Sequence, residues 1–193
     1  ENVQVSADIN ASGYPLSGFV VYNKSQLSMK DCTFSGHIKS TSNASVDISG
    51  FISSMSGESS FKFDRCAFTG GIEILAGWRA GAFVSTNTST MVADCEMNFC
   101  EMSGSISQEN GSERVGGFIG SPNTDKSSYI MKGCLMNGTC KRWKSNQEHV
   151  WITQENCIIM GCGTWKTMGS NTSTTNCYLT PTTELTVNNM SGF

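Results

Sequence analysis

Residues 32–36 read CTFSG, and the same cysteine and glycine return in CAFTG at 66–70, CEMSG at 100–104 and CLMNG at 134–138. Each motif begins 34 residues after the previous one. A fixed interval of this length is typical of repeat architectures, in which similar units stack on one another. The interval therefore indicates that each cysteine holds an equivalent place in successive units.

A second anchor, a small residue followed by phenylalanine, alternates with the cysteine motif. It reads SGF at 17–19 and at 49–51, GAF at 81–83 and GGF at 116–118. Later units keep the cysteine but are shorter, and tryptophan stands where phenylalanine is expected. We predict an aromatic column of Phe19, Phe51, Phe83, Phe118, Trp143 and Trp165. We predict a cysteine column of Cys32, Cys66, Cys100, Cys134, Cys157 and Cys177, accompanied by a third column of Ile38, Ile72, Ile106 and Cys140.

Each unit contains several short β-rich stretches, separated by residues that favour turns, and is expected to form two or three strands. The first full unit offers Phe19–Tyr22, Gln26–Lys30, Thr33–Ile38 and Ser45–Ile48. No window has a helical stripe of apolar residues, and units this small cannot bury an apolar face unless they stack.

The predicted fold is therefore all-β, a right-handed parallel β-helix of about six coils. We interpret residues 1–193 as a single segment of it, with regular coils over about 17–140, shorter coils over about 141–177, and both ends cut within a repeat. The glycines are expected where the backbone bends or where coils approach closely. A β-propeller is less favoured because its blades need about 40 residues, and a β-sandwich gives no reason for the interval.

Composition excludes several classes of function. Only 15% of the residues are charged and the net charge is −3, which disfavours binding to nucleic acid. No apolar stretch is long enough to span a membrane as a helix. The nine cysteines include no CxxC pair, so we expect no zinc site, and we expect no cofactor.

Asn-X-Ser/Thr sequons and the many cysteines favour a secreted or surface-exposed, N-glycosylated protein. The sequons lie at Asn10, Asn23, Asn43, Asn87, Asn110, Asn137, Asn171 and Asn189. The column cysteines are interpreted either as buried thiols or as disulfides between neighbouring coils. Cys95, Cys140 and Cys162 lie outside that column, and Cys140 with Cys162 is the preferred candidate disulfide.

The alternation of GGFIG (116–120) with YIMKGCLMNG (129–138) resembles GLUG-type repeats and the β-helical surface proteins of bacteria and flagellate protists. The resemblance implies an extracellular structural or adhesive protein. Its expected partners are its own attached glycans, further coils or copies joined end to end in a filament, and ligands on a host or another surface. It supplies no catalytic residues.

Parallel β-helices also carry carbohydrate-active enzymes, so the acidic residues and histidines need separate treatment. Asp31, Asp64 and Glu155 lie just before a column cysteine, and Asp94 directly precedes Cys95. Strand alternation predicts that Asp31 and Asp64 face opposite ways. His37 and His149 are expected on the surface, and we expect no enzymatic activity. A carbohydrate-binding module or a polysaccharide-cleaving enzyme on the same scaffold remains the alternative.

Overall fold

The chain is all-β, as the sequence predicts. A computed structural model describes residues 1–42, 46–75, 79–89, 94–108, 114–122, 128–140, 151–159, 172–175, 177–179 and 190–191. These residues form 26 strands, grouped into five sheets that we label A to E, and they contain no helix. The strand pairs in all five sheets are parallel.

Each sheet collects one strand from successive units of the chain. Sheet A contains β1 (Gln4–Val5), β6 (Thr33–Phe34), β11 (Ala67–Phe68), β16 (Glu101–Met102), β21 (Leu135–Met136), β23 (Ile158–Ile159) and β25 (Tyr178–Leu179). Sheet B contains β2 (Asp8–Ala11), β7 (His37–Ser40), β12 (Gly71–Ile74) and β17 (Ser105–Gln108). Sheet C contains β3 (Leu16–Ser17), β8 (Asp47–Ser49), β13 (Arg79–Gly81) and β18 (Arg114–Gly116). Sheet D contains β4 (Val20–Asn23), β9 (Ile52–Gly57), β14 (Val84–Ser89) and β19 (Ile119–Pro122). Sheet E contains β5 (Gln26–Lys30), β10 (Ser60–Asp64), β15 (Asp94–Asn98), β20 (Ser128–Lys132), β22 (Trp151–Glu155), β24 (Thr172–Thr175) and β26 (Met190–Ser191).

The chain passes through the sheets in the order A, B, C, D, E, and we call one such pass a unit. Units 1 to 4 contribute a strand to every sheet, whereas the described residues of later units add strands only to sheets A and E. Every strand pairs with the equivalent strand of a neighbouring unit, as Phe61 and Phe63 of unit 2 pair with Leu27 and Met29 of unit 1. This arrangement of stacked parallel strands is compatible with a parallel β-helix.

The units contain more strands than the sequence predicts. Each of the first four has five strands rather than two or three, and sheet A has seven strands where about six coils are expected. The predicted strand Thr33–Ile38 is divided into β6 and β7 at Ser35 and Gly36. A Cβ atom at Gly36 would overlap the backbone of Ala7 in unit 1, so the units touch at this bend. The same close approach recurs where Gly70, Gly104 and Gly138 each face the carbonyl oxygen of the equivalent glycine one unit earlier.

Four phenylalanines of the predicted aromatic column stack in the interior. The ring centroids of Phe19 and Phe51 are 4.9 Å apart, those of Phe51 and Phe83 4.7 Å, and those of Phe83 and Phe118 5.5 Å. Phe51, Phe83 and Phe118 are fully buried, while Phe19 in unit 1 is half-buried. Equivalent side chains of successive units therefore pack directly on one another. Trp143 and Trp165 lie outside the described residues.

A column of left-handed backbone conformations marks the corner between sheets E and A. The φ angle is positive at the residue directly before each described column cysteine up to Cys157, although the residue types differ. The amide of each of these residues donates to a carbonyl of the next unit, at 2.7 Å for Phe99 to Lys132. Asparagine and aspartate tolerate this conformation, whereas a bulky side chain such as Phe99 is strained in it. The column consists of Asn2, Asp31, Arg65, Phe99, Gly133 and Asn156.

Candidate functional sites in the core and on the surface

The structure brings the six predicted column cysteines together in the core. All six are buried, with exposed fractions of 4% or less. Each Sγ donates to the carbonyl oxygen two residues earlier, over distances from 3.3 Å at Cys32 to 3.7 Å at Cys134. The thiols therefore share one orientation, and those from Cys32 to Cys157 each follow the same left-handed corner.

Neighbouring thiols of the column also hydrogen-bond to one another, and these bonds set their pKa values. Bonding to Cys100 lowers the pKa of Cys66 to about 7, although burial opposes the shift. Hydrogen bonds with Cys100 and Cys157 lower the pKa of Cys134. The pKa of Cys100 and that of Cys157 are raised, first by their hydrogen bonds to Cys134 and also by burial.

No disulfide joins the cysteines within the described parts of the chain. The column thus has the buried-thiol form, one of the two forms that the sequence allows. Cys95 and Cys140 are also buried and lie outside the column. Cys162 falls outside the described residues, so its pairing with Cys140 stays a prediction.

The prediction that Asp31 and Asp64 face opposite ways is wrong, because both contact Arg65. The Arg65 guanidinium lies 2.7 Å and 3.1 Å from the two carboxylate oxygens of Asp31, and 2.8 Å from Asp64 Oδ2. Asp31 has a left-handed backbone rather than a strand conformation, so strand alternation does not apply to it. The hydrogen bond from Arg65 lowers the pKa of Asp31. The carboxylate of Glu155 lies 3.3 Å from Lys132 Nζ. The structure does not describe the side chain of Asp94.

Charged side chains on sheet B pair between neighbouring units and border a shallow groove. Lys39 Nζ lies 2.9 Å from Glu73 Oε2, and His37 Nε2 lies 3.4 Å from Glu73 Oε1. The hydrogen bond from Lys39 lowers the pKa of Glu73. A volume of about 390 Å³ is lined by Lys39, Ser40, Thr41, Glu73, Ile74, Leu75 and Ser107. Sequence reasoning missed this groove because its residues meet only once the units stack. His37 is on the surface as predicted, and His149 lies outside the described residues.

The described sequons have different surroundings. Asn10 and Asn137 are exposed. Asn23 is only 5% exposed, its Nδ2 donates to Ser60 O at 3.2 Å, and its Oδ1 accepts from the amide of Ser25 at 3.3 Å. The amide nitrogen that would carry a glycan at Asn23 is therefore already engaged between two units. Asn87 lies on β14 with its side chain outside the description, and Asn43, Asn110, Asn171 and Asn189 lie outside the described residues.

Exposed aromatic residues do not form a row on the described surface. Tyr14 is 76% exposed before β3, Tyr22 is 61% exposed on β4, and Phe99 is 65% exposed at the corner between sheets E and A. A row of such rings would favour sugar binding, and these three belong to different parts of the units.

The described residues offer neither a metal-binding cluster nor a membrane-spanning helix. They contain no group of three or more His, Cys, Asp or Glu side chains that could hold a metal ion. They also contain no helix of the length and hydropathy needed to cross a bilayer. Comparison of the chain with protein-family models, curated proteins and solved structures gives no match.

Proposed function

We propose that the chain is a right-handed parallel β-helix that serves as an extracellular, N-glycosylated structural or adhesive element. The observation that carries this proposal is the constant order of the sheets, with parallel pairing of equivalent strands between units. Such an arrangement needs no bound group to be stable, since each unit buries the apolar face of the next. The proposed function then depends on the length of the stack of units and on its outer surface, and it needs no catalytic pocket.

The contacts between units support a mechanical role. Backbone hydrogen bonds in five sheets run from unit to unit. Ion pairs add to them: Arg79 lies 2.7 Å from Asp47 in sheet C with both side chains largely buried, and Lys62 lies 2.9 Å from Glu96 in sheet E. A pulling force along the stacking axis would load many of these bonds together. We therefore propose a stiff rod.

The strand edges at unit 1 are suited to pairing with a further coil, either of the same solenoid or of another copy. Among the described strands, β2, β3 and β4 each pair on one side only. Apolar side chains of the same unit pack on the core but are incompletely buried. An open edge beside exposed apolar surface is a template for strand addition. These side chains are Val5, Ile9, Leu16, Phe19, Val20 and Leu27.

Secretion of the chain from a eukaryotic host, followed by glycopeptide mapping and electron microscopy, tests this function. We expect glycans on Asn10 and Asn137, unmodified Asn23, and elongated particles. Asn23→Gln is the matched control: it should leave the glycan mass unchanged, whereas Asn137→Gln should remove one glycan. Bare Asn10 and Asn137 in a secreted chain, or spherical particles, would contradict the proposal.

The sheet B groove is the observation that favours the alternative of carbohydrate binding. Its Lys39–Glu73 pair and its serine and threonine hydroxyls can hydrogen-bond to a saccharide. Titration with neutral and acidic oligosaccharides separates the two functions. Binding that Glu73→Gln abolishes and Glu96→Gln preserves would support the alternative, whereas absence of binding would support the structural role.

A further inference from the structure

We propose that the N-glycan of Asn10 lies in the groove of sheet B, so that the first sugars of the chain's own glycan occupy this site. The inference rests on the proposed glycosylation of the chain. It names the occupant of a groove that also has the chemistry to accept a saccharide from solution.

Asn10 begins a row of outward side chains that leads directly into the groove. In the parallel register Asn10 pairs with Lys39 of unit 2, and Lys39 pairs with Glu73 of unit 3. Glu73 in turn pairs with Ser107 of unit 4, and these three partners all line the groove. Asn10 is exposed while its neighbour Ile9 packs on the core, so strand alternation directs the Asn10 side chain outward. The glycosylation site therefore lies one unit away from the nearest groove residue.

The length of the row suits a short saccharide. Neighbouring parallel strands are about 4.8 Å apart, so Asn10 and Ser107 are separated by roughly 14 Å along the row. A pyranose with its glycosidic oxygen extends about as far as one strand spacing, so the first sugars can lie over Lys39 and Glu73. Among the described strands β2 is the last on its side of sheet B, and a glycan that follows the sheet therefore extends toward the groove.

The polar groups of the groove match those of the sugar. N-acetylglucosamine, the sugar joined to asparagine, is uncharged, and its hydroxyls and acetamide both donate and accept hydrogen bonds. Lys39 Nζ lies 2.9 Å from Glu73 Oε2, and the two side chains are 50% and 45% exposed. A carboxylate has about four acceptor positions, so Glu73 can accept from a sugar hydroxyl while it holds Lys39. A neutral sugar can therefore cover this ion pair without breaking it.

The chain contains a matched control for this arrangement. Lys62 Nζ on sheet E also lies 2.9 Å from a glutamate of the next unit, Glu96, and the Lys62 side chain is 59% exposed. In unit 1, however, the residue in register with Lys62 is Ser28 rather than a sequon asparagine. A glycan on Asn10 should therefore shield Lys39 and leave Lys62 accessible.

The test measures how fast an acylating reagent modifies these two lysines in the folded, secreted chain. Limited acetylation with an N-hydroxysuccinimide ester, followed by peptide mapping by mass spectrometry, gives both rates and the occupancy of Asn10. Ser12→Ala removes the sequon but keeps Asn10. We expect it to accelerate the acetylation of Lys39 severalfold and to leave the rate at Lys62 unchanged. Ser12→Thr keeps the sequon and should retain the slow rate of the parent chain at Lys39.

Three results would contradict the inference. A chain that is glycosylated at Asn10, but whose Lys39 reacts as fast as in Ser12→Ala, would overturn the inference and leave the proposed function standing. Equal acceleration of Lys39 and Lys62 would also overturn it, because the glycan would then shield the surface in general. A secreted chain without a glycan at Asn10 would overturn the inference together with the proposed glycosylation of this site.

Discussion

Replacement of Phe51 by alanine tests the aromatic column at its most packed position. The ring is fully buried, and its centroid lies 4.9 Å from that of Phe19, 4.7 Å from Phe83 and 5.4 Å from Phe63. Truncation of a buried phenylalanine costs about 3–5 kcal/mol, which includes about 0.5–1.5 kcal/mol for each lost aromatic pair. Since domains are stable by only about 5–15 kcal/mol, we expect Phe51→Ala to remove a large part of the free energy of unfolding.

Two further variants complete the series. Phe19 is half-buried and has one stacked neighbour in the column, so Phe19→Ala should be less destabilising than Phe51→Ala. Phe99 is 65% exposed, and Phe99→Ala should change the free energy of unfolding by only about 0.5 kcal/mol. This ordering follows from the number of ring contacts that each substitution removes.

Urea unfolding followed by both circular dichroism and tryptophan fluorescence measures these differences. Coincident transitions would show two-state behaviour, and an unchanged slope with urea would show that the unfolded states are comparable. Equal losses for Phe51→Ala and Phe99→Ala would refute the reasoning, because the two rings would then have similar surroundings.

Three other substitutions probe the corner and the contacts between units. Phe99→Asn should raise the urea midpoint and increase the free energy of unfolding by about 1 kcal/mol, because asparagine tolerates the φ of 53° that strains phenylalanine. A lower urea midpoint than that of the parent chain would contradict this. Gly104→Ala should lower the free energy of unfolding by about 3 kcal/mol in the same assay, since the Cβ of the new alanine would overlap the carbonyl oxygen of Gly70. A decrease of less than about 1 kcal/mol would show that neighbouring units can move apart to make room for it. Asp31 has a lowered pKa in the folded chain, so its bond to Arg65 stabilises above the ordinary carboxyl range and is lost as the pH falls through the lowered value. The urea midpoint should therefore fall less between about pH 6 and about pH 3 in Asp31→Asn than in the parent chain, and an identical fall would contradict this.

The columns of the core could be predicted because equivalent positions share one environment. Phe51 and Phe83 recur at a nearly constant interval, and a side chain that must stack on its own counterpart stays aromatic. The same reasoning predicted the inward cysteines. It also predicted a glycine at each tight approach between units, as at Gly104.

The corner before each cysteine could not be predicted in the same way. Its left-handed backbone is shared by residues as different as Asp31, Arg65 and Phe99, so composition gives no signal. Position does give one, since each of these residues directly precedes a column cysteine. The contacts of Arg65 with Asp31 and Asp64 depend on that corner, and strand alternation therefore misplaced them. Likewise, the burial of Asn23 follows from its bond to Ser60 of the next unit, which no local sequence pattern encodes.

An experimental density map of the folded chain, by crystallography or electron cryo-microscopy, tests the parallel stacking of units most directly. We expect one column of rings in which Phe19, Phe51, Phe83 and Phe118 follow one another at 4.7–5.5 Å. We also expect Cys32, Cys66, Cys100 and Cys134 to form a second column inside the same core. Antiparallel pairing of the strands, or phenylalanines divided between two packed sheets, would contradict it.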